Sequence, residues 1–181
     1  MPKSETPDIW QSGGPLLQPR VADFSAIEGE SLLLPDDVAA PEQGFALGRT
    51  LASRVAALGR PLQVHDLTPA FFGSALLPHV TLLDVISGGE DFRWRIFGTA
   101  HRDEYGRDLT GCQLSELSAS NPTLDSLWPI FQAGLKSDTP RYFQITYFAE
   151  GLVRKTARGA VCRALDAKGV PRRIVTVCDW E

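Results

Sequence analysis

Val80-Thr81-Leu82-Leu83-Asp84-Val85-Ile86-Ser87-Gly88-Gly89-Glu90-Asp91-Phe92-Arg93-Trp94-Arg95-Ile96-Phe97-Gly98 is the stretch that decides the fold. Two runs rich in β-branched, aliphatic and aromatic residues flank Gly88-Gly89, a dipeptide suited to a two-residue hairpin turn. In that register Leu83, Val85, Phe92, Trp94 and Ile96 share one face. Leu82, Asp84, Ile86, Arg93, Arg95 and Phe97 share the other, with Asp84 opposite Arg93 or, failing that, beside Arg95. An opposed pair contributes roughly 0.2–1 kcal/mol, so it fixes register more than it supplies stability. One face is purely apolar and the other mixed, which predicts a core on one side and partial cover on the other.

C-terminal to the hairpin the pattern becomes helical. Thr99 is read as the cap of a short helix ending at Gly106, and Gly106 and Gly111 as positions of positive φ. Asn121-Pro122 opens a longer helix with Leu124, Leu127, Trp128, Phe131 and Leu135 on its inner stripe, and Pro129 predicts a kink or break at Trp128. Strands follow: Arg141 to Phe148 alternates, and Leu152 to Leu165 with Arg172 to Asp179 forms a second hairpin. Two strands, a helical crossing and three strands fit an α+β domain, a five-stranded antiparallel sheet with helices on one face.

N-terminal to the hairpin, Thr68-Pro69 reads as an N-cap followed by proline at the first helical position. Leu47, Leu51, Val55 and Leu58 form one stripe of an amphipathic helix within 43–59, stopped by Gly59 and Pro61. Residues 1–42 read as a partly ordered arm, and residues 60–181 as the domain proper.

Composition narrows the function. The 181 residues carry a formal charge of −4, 43% apolar and 22% charged residues, without the basic face of a nucleic-acid binder. Cys112, Cys162 and Cys178 have no CxxC spacing and leave one thiol over, a usage that suits a reducing cytosol. The N-terminus shows no signal-peptide pattern, and no apolar run approaches the roughly 18 residues of a membrane span. A cytoplasmic protein is expected.

The order β-β-α-α-α-β-β-β is that of the PAS superfamily. Phe92-Arg93-Trp94-Arg95-Ile96-Phe97-Gly98-Thr99, running on to Gly106-Arg107-Asp108-Leu109-Thr110-Gly111, resembles a bacterial family of small stand-alone PAS-like proteins. So does the lead-in Leu76-Leu77-Pro78-His79-Val80-Thr81-Leu82-Leu83-Asp84-Val85. The resemblance covers roughly residues 60–180. Ala164-Leu165 departs from the Pro-Leu pair expected in the penultimate strand. Sensing or regulation is what the resemblance implies, with no particular ligand.

Haem-binding relatives take a histidine from the long helix before the third strand, and the helix read at 122–137 has none. His65 and His79 read as loop and strand-entry residues, and His101 as part of a short exposed helix. The flavin-type reactive cysteine would fall at Leu114, two residues beyond Cys112. The cofactor is therefore unknown, and no metal site is read.

No G-x-S-x-G elbow, H-E-x-x-H, P-loop or G-x-G-x-x-G after a strand is present. No catalytic residue is assigned, and a non-enzyme is expected. Two other readings are carried. One is a cone-fold isomerase or cyclase pairing Asp84 with His79 or His101. The other is a pure interaction module dimerising through Leu47, Leu51, Val55 and Leu58, although that helix would equally cover its own domain. Arg154, Lys155, Arg158 and Arg163 read as a solvated sheet face. A small apolar cavity between sheet and helices is expected, lined by Phe92, Trp94, Phe131, Phe143 and Ile145, with Tyr147 or Gln113 as a polar group. The partners expected are a small apolar ligand, a second copy in a homodimer and a signalling protein.

Overall fold

The hairpin forms with the register its alternation requires. In the computed structural model, which describes residues 28–34, 44–148 and 154–181, the chain runs β1 (Glu28–Leu33), α1 (Ala46–Ala57), α2 (Pro69–Leu76), β2 (Val80–Ile86), β3 (Asp91–Phe97), α3 (Thr99–Tyr105), α4 (Leu114–Ser120), α5 (Leu127–Leu135), β4 (Arg141–Phe148), β5 (Arg154–Leu165) and β6 (Pro171–Trp180). Asp84 lies opposite Arg93 and Val85 opposite Phe92. The turn is wider than two residues, because pairing stops at Ile86 and Asp91. Ser87, Gly88 and Gly89 take positive φ of 47°, 73° and 110°. Gln132 of α5 donates to the Gly89 carbonyl at 2.7 Å, seating the turn against that helix.

One irregularity redirects the end of β3. The pairing steps from Leu82–Ile96 to Leu83–Trp94, so Arg95 is an extra residue. A bulge of this kind moves later side chains to the opposite face. Ile96 therefore turns outward, 45% exposed. Phe97 turns inward, edge-on to Trp94 at 6.4 Å between ring centroids. The strict alternation read from the sequence had these two residues reversed.

The strands form one antiparallel sheet in the order β1-β4-β5-β6-β2-β3. It has six strands, not five. The additional β1 comes from the stretch read as an arm and pairs along β4 from Glu28–Phe148 to Leu33–Phe143. It covers an edge that would otherwise present unpaired backbone groups. The rest of the 1–42 arm outside Glu28–Leu34 lies beyond the described residues.

Helices pack on both faces, not one. On the inner face α3, α4 and α5 close over Leu83, Phe92, Trp94, Val161 and Ile174. On the outer face α1 and α2 close over Leu82, Ala160, Cys162, Val175 and Val177. Strand β6 explains the need, since Ile174 through Cys178 is buried at every position. An apolar run without alternation is the mark of a strand covered on both sides.

Helix α1 is consequently part of the same packed unit as residues 60–181. Leu51 and Val55 are buried against the chain's own sheet, and Leu47 and Leu58 pack at the margin, half-buried. Gly48 makes the approach possible, because a Cβ there would sit 3.1 Å from the Ala160 methyl. Helix α2 begins as expected, with the Thr68 hydroxyl accepting from the Phe71 amide at 3.2 Å.

Two helix termini differ from the sequence reading. Gly98, not Thr99, is the N-cap of α3, while Gly106 closes that helix at φ 87°. The break before α5 falls between Ser126 and Leu127, where a 3-10 turn over Pro122–Ser126 gives way to α-helix. Pro129 is then the third residue of α5, in the first turn, whose amides have no intrahelical acceptor.

Several charges on the sheet are paired within the chain. Asp84 meets Arg95 at 3.6 Å and Arg173 of the neighbouring strand, while Arg93 is exposed. Lys155 pairs with Glu104, Arg158 with Glu181, and Arg163 with Asp138 at 2.8 Å. The Arg154 side chain lies outside the described residues. No helix among the described residues is long and apolar enough to cross a membrane.

Candidate functional site

The inner face of the sheet is not filled completely. A cavity of about 60 Å³ lies between β2, β3, β4 and β6 on one side and α3 and α5 on the other. Trp94, Phe131, Phe143 and Ile145 line it, four of the residues expected from the sequence. Phe92 does not. Its ring is drawn under α5, 5.7 Å from Trp128 and 5.4 Å from Phe131, and supports the wall from behind. Gln113 caps α4 with Glu116 instead of facing the cavity. The Tyr147 side chain lies outside the described residues.

The lining also contains side chains with polar or sulfur atoms that the sequence does not place there: Thr81, His101, Tyr105, Thr176, Cys178 and Trp180. Spacing carried part of the signal. His101 and Tyr105 are four residues apart on α3 and face the same way. Thr81 has the parity of Leu83, and Thr176 that of Ile174 and Cys178, all on the inner face.

His101 is buried, 2% exposed, and not on an exposed helix as expected. Its Nδ1 accepts from the Trp180 Nε1–H at 3.0 Å, and its Nε2 lies 2.8 Å from the His79 carbonyl oxygen. An indole nitrogen only donates, so Nδ1 must be unprotonated and Nε2 must carry the proton it gives to His79. Burial, opposed by the His79 hydrogen bond, holds the imidazole down to about 4. At neutral pH the ring is an uncharged, fully engaged strut between α3 and the end of β6, not a free base.

The other reactive groups are equally subdued. Burial pushes the Cys178 thiol up to about 12, and the Cys162 thiol likewise to about 12. Both stay protonated and unreactive at neutral pH. Burial also raises Tyr105, whose hydroxyl is held by Asn121. Asp84 is on the outer sheet face with Arg95 and Arg173, whereas His101 lines the inner cavity. The acid–histidine pair of a cone-fold enzyme is therefore not brought together by these two residues. His79 Nδ1 lies 3.2 Å from the Cys178 carbonyl oxygen and 3.6 Å from Asp179.

Among the described residues no group of three or more His, Cys, Asp or Glu side chains converges as a metal site requires. Comparison with family models, curated proteins and solved structures returned no match.

Proposed function

We propose that this chain is a PAS-type sensor or regulatory module, without catalytic activity, which takes a small apolar ligand between its sheet and α3–α5 and signals to a protein partner. The observation that carries the reading is the apolar cavity at the centre of the inner face, walled by Trp94, Phe131, Phe143 and Ile145. The order of two strands, three helices and three strands around it supports the PAS class. The neutral, engaged state of His101 favours binding over acid–base chemistry. The reading includes a cytoplasmic location. It also includes a homodimer, in which the solvent-facing side of α1, not Leu51 and Val55, would meet the second copy.

The cavity is well below the roughly 300–1,000 Å³ of pockets for drug-sized ligands. Native mass spectrometry of freshly purified protein, paired with an absorbance spectrum, tests the reading. No visible chromophore and a non-covalent dimer mass are expected. A stoichiometric haem- or flavin-sized adduct would contradict the small-ligand reading.

A further inference from the structure

The geometry points to a specific class of guest: a neutral molecule of about four non-hydrogen atoms with one hydrogen-bonding oxygen on an apolar body, namely a short ketone, aldehyde or alcohol. This rests on the ligand-binding reading above and adds the chemistry of the ligand. Thr81 and Thr176 are direct partners across β2 and β6. They are only 5% and 4% exposed, and both line the cavity. Among the described residues neither threonine side chain is engaged in a hydrogen bond with another group of the protein, and neither hydroxyl is sealed off from the void. The other polar groups of the lining are committed, His101 to Trp180 and His79, and Tyr105 to Asn121.

A hydroxyl on a cavity wall that has no partner in the protein is open to one from a guest, and two on paired strands can bind the same oxygen. A carbonyl oxygen accepts from both, and a ligand hydroxyl donates to one while accepting from the other. The remaining wall is apolar, so the rest of the guest must be apolar too. No ionised side chain in the lining compensates a charge, which excludes ions. Size follows from volume. One water needs about 10–15 Å³ of such space, so about 60 Å³ admits on the order of four non-hydrogen atoms.

Acetone and isobutene test the assignment, because isobutene replaces the carbonyl oxygen of acetone with a CH₂ at nearly the same shape. Each is titrated into the full chain labelled at its methyl groups. Both are expected to shift the methyl signals of Leu127, Ile130 and Ile145. Thr81→Val and Thr176→Val should each weaken acetone by about tenfold. The same variants should leave isobutene unchanged or tighter, and Thr81→Ser and Thr176→Ser should retain acetone binding. In the wild type, acetone should show intermolecular NOEs to the Thr81 and Thr176 methyl groups. Their absence overturns the assignment whatever the variants do. If isobutene binds but acetone is indifferent to both threonines, water satisfies the hydroxyls. The class of guest is then wrong while the cavity reading stands. If neither probe shifts those methyls, the ligand-binding reading falls as well.

Discussion

Leu51→Glu is expected to unfold the chain, not to release a folded monomer. Leu51 has no exposed surface and sits among Leu62, Leu76, Leu82, Val175 and Val177 on the outer sheet face. Substitution removes a buried side chain, which alone costs about 2–5 kcal/mol. It also places a carboxylate among aliphatic side chains, adding a desolvation cost of several kcal/mol. Against a total stability of about 5–15 kcal/mol this is decisive. Leu47→Glu, half-buried at the margin of the same stripe, should cost no more than about 1 kcal/mol. Far-ultraviolet circular dichroism and sedimentation velocity on both variants separate the two roles of α1. A Leu51→Glu protein that is folded and monomeric, from a dimeric parent, would mean that the helix docks on a second copy and not on its own sheet.

The second large effect is on acid stability. The folded chain holds His101 at about 4, below its ordinary 6.5, chiefly because burial disfavours the imidazolium. Of the charged groups around it, Asp179 pulls the other way and His79 adds to the depression. Between these two values the unfolded chain binds a proton that the folded chain does not. Stability from this group is therefore complete above 6.5 and is lost as pH falls towards 4, by on the order of 3 kcal/mol. Asp66, held at about 2 by the hydrogen bond from Arg60, acts only below its ordinary 3.8 and leaves that window untouched. Urea midpoints at about pH 7, 5.5 and 4.5 should fall steeply in the wild type and much less in His101→Gln. Parallel slopes in the two proteins would show that the ring is not the group responsible.

Much of this architecture was legible in the sequence, and the misses have physical causes. The hairpin register followed from alternation alone, because a slip of one residue would place Phe92 and Trp94 in solvent. The bulge at Arg95 was not legible, since an inserted residue changes the face of Ile96 and Phe97 without changing composition. Helices were expected on one face only, although Ile174-Val175-Thr176-Val177-Cys178 is a run too apolar for a strand wet on one side. Strand β1 was hidden because Glu28-Gly29-Glu30-Ser31 has little intrinsic strand preference and is held by pairing with β4. The sequence pattern makes Pro129 interior to a helix, whereas the preceding 3-10 turn places it where proline is tolerated. The aromatic half of the cavity was predictable from large side chains on one sheet face. Its polar half required knowing that α3 turns His101 inward onto Trp180, a contact spanning most of the domain.

Whether the inner face keeps its cavity is the point on which the sensing account stands. Ile145→Trp tests it most directly, because Ile145 lines the void and is itself buried. The larger ring is expected to enter existing space. The chemical-denaturation midpoint should then stay within about 1 kcal/mol of the parent, and the isobutene-induced methyl shifts should vanish because the space is taken. A loss of about 1–3 kcal/mol, the usual cost of overpacking a filled core, would contradict the cavity. It would leave the chain an interaction module without a ligand.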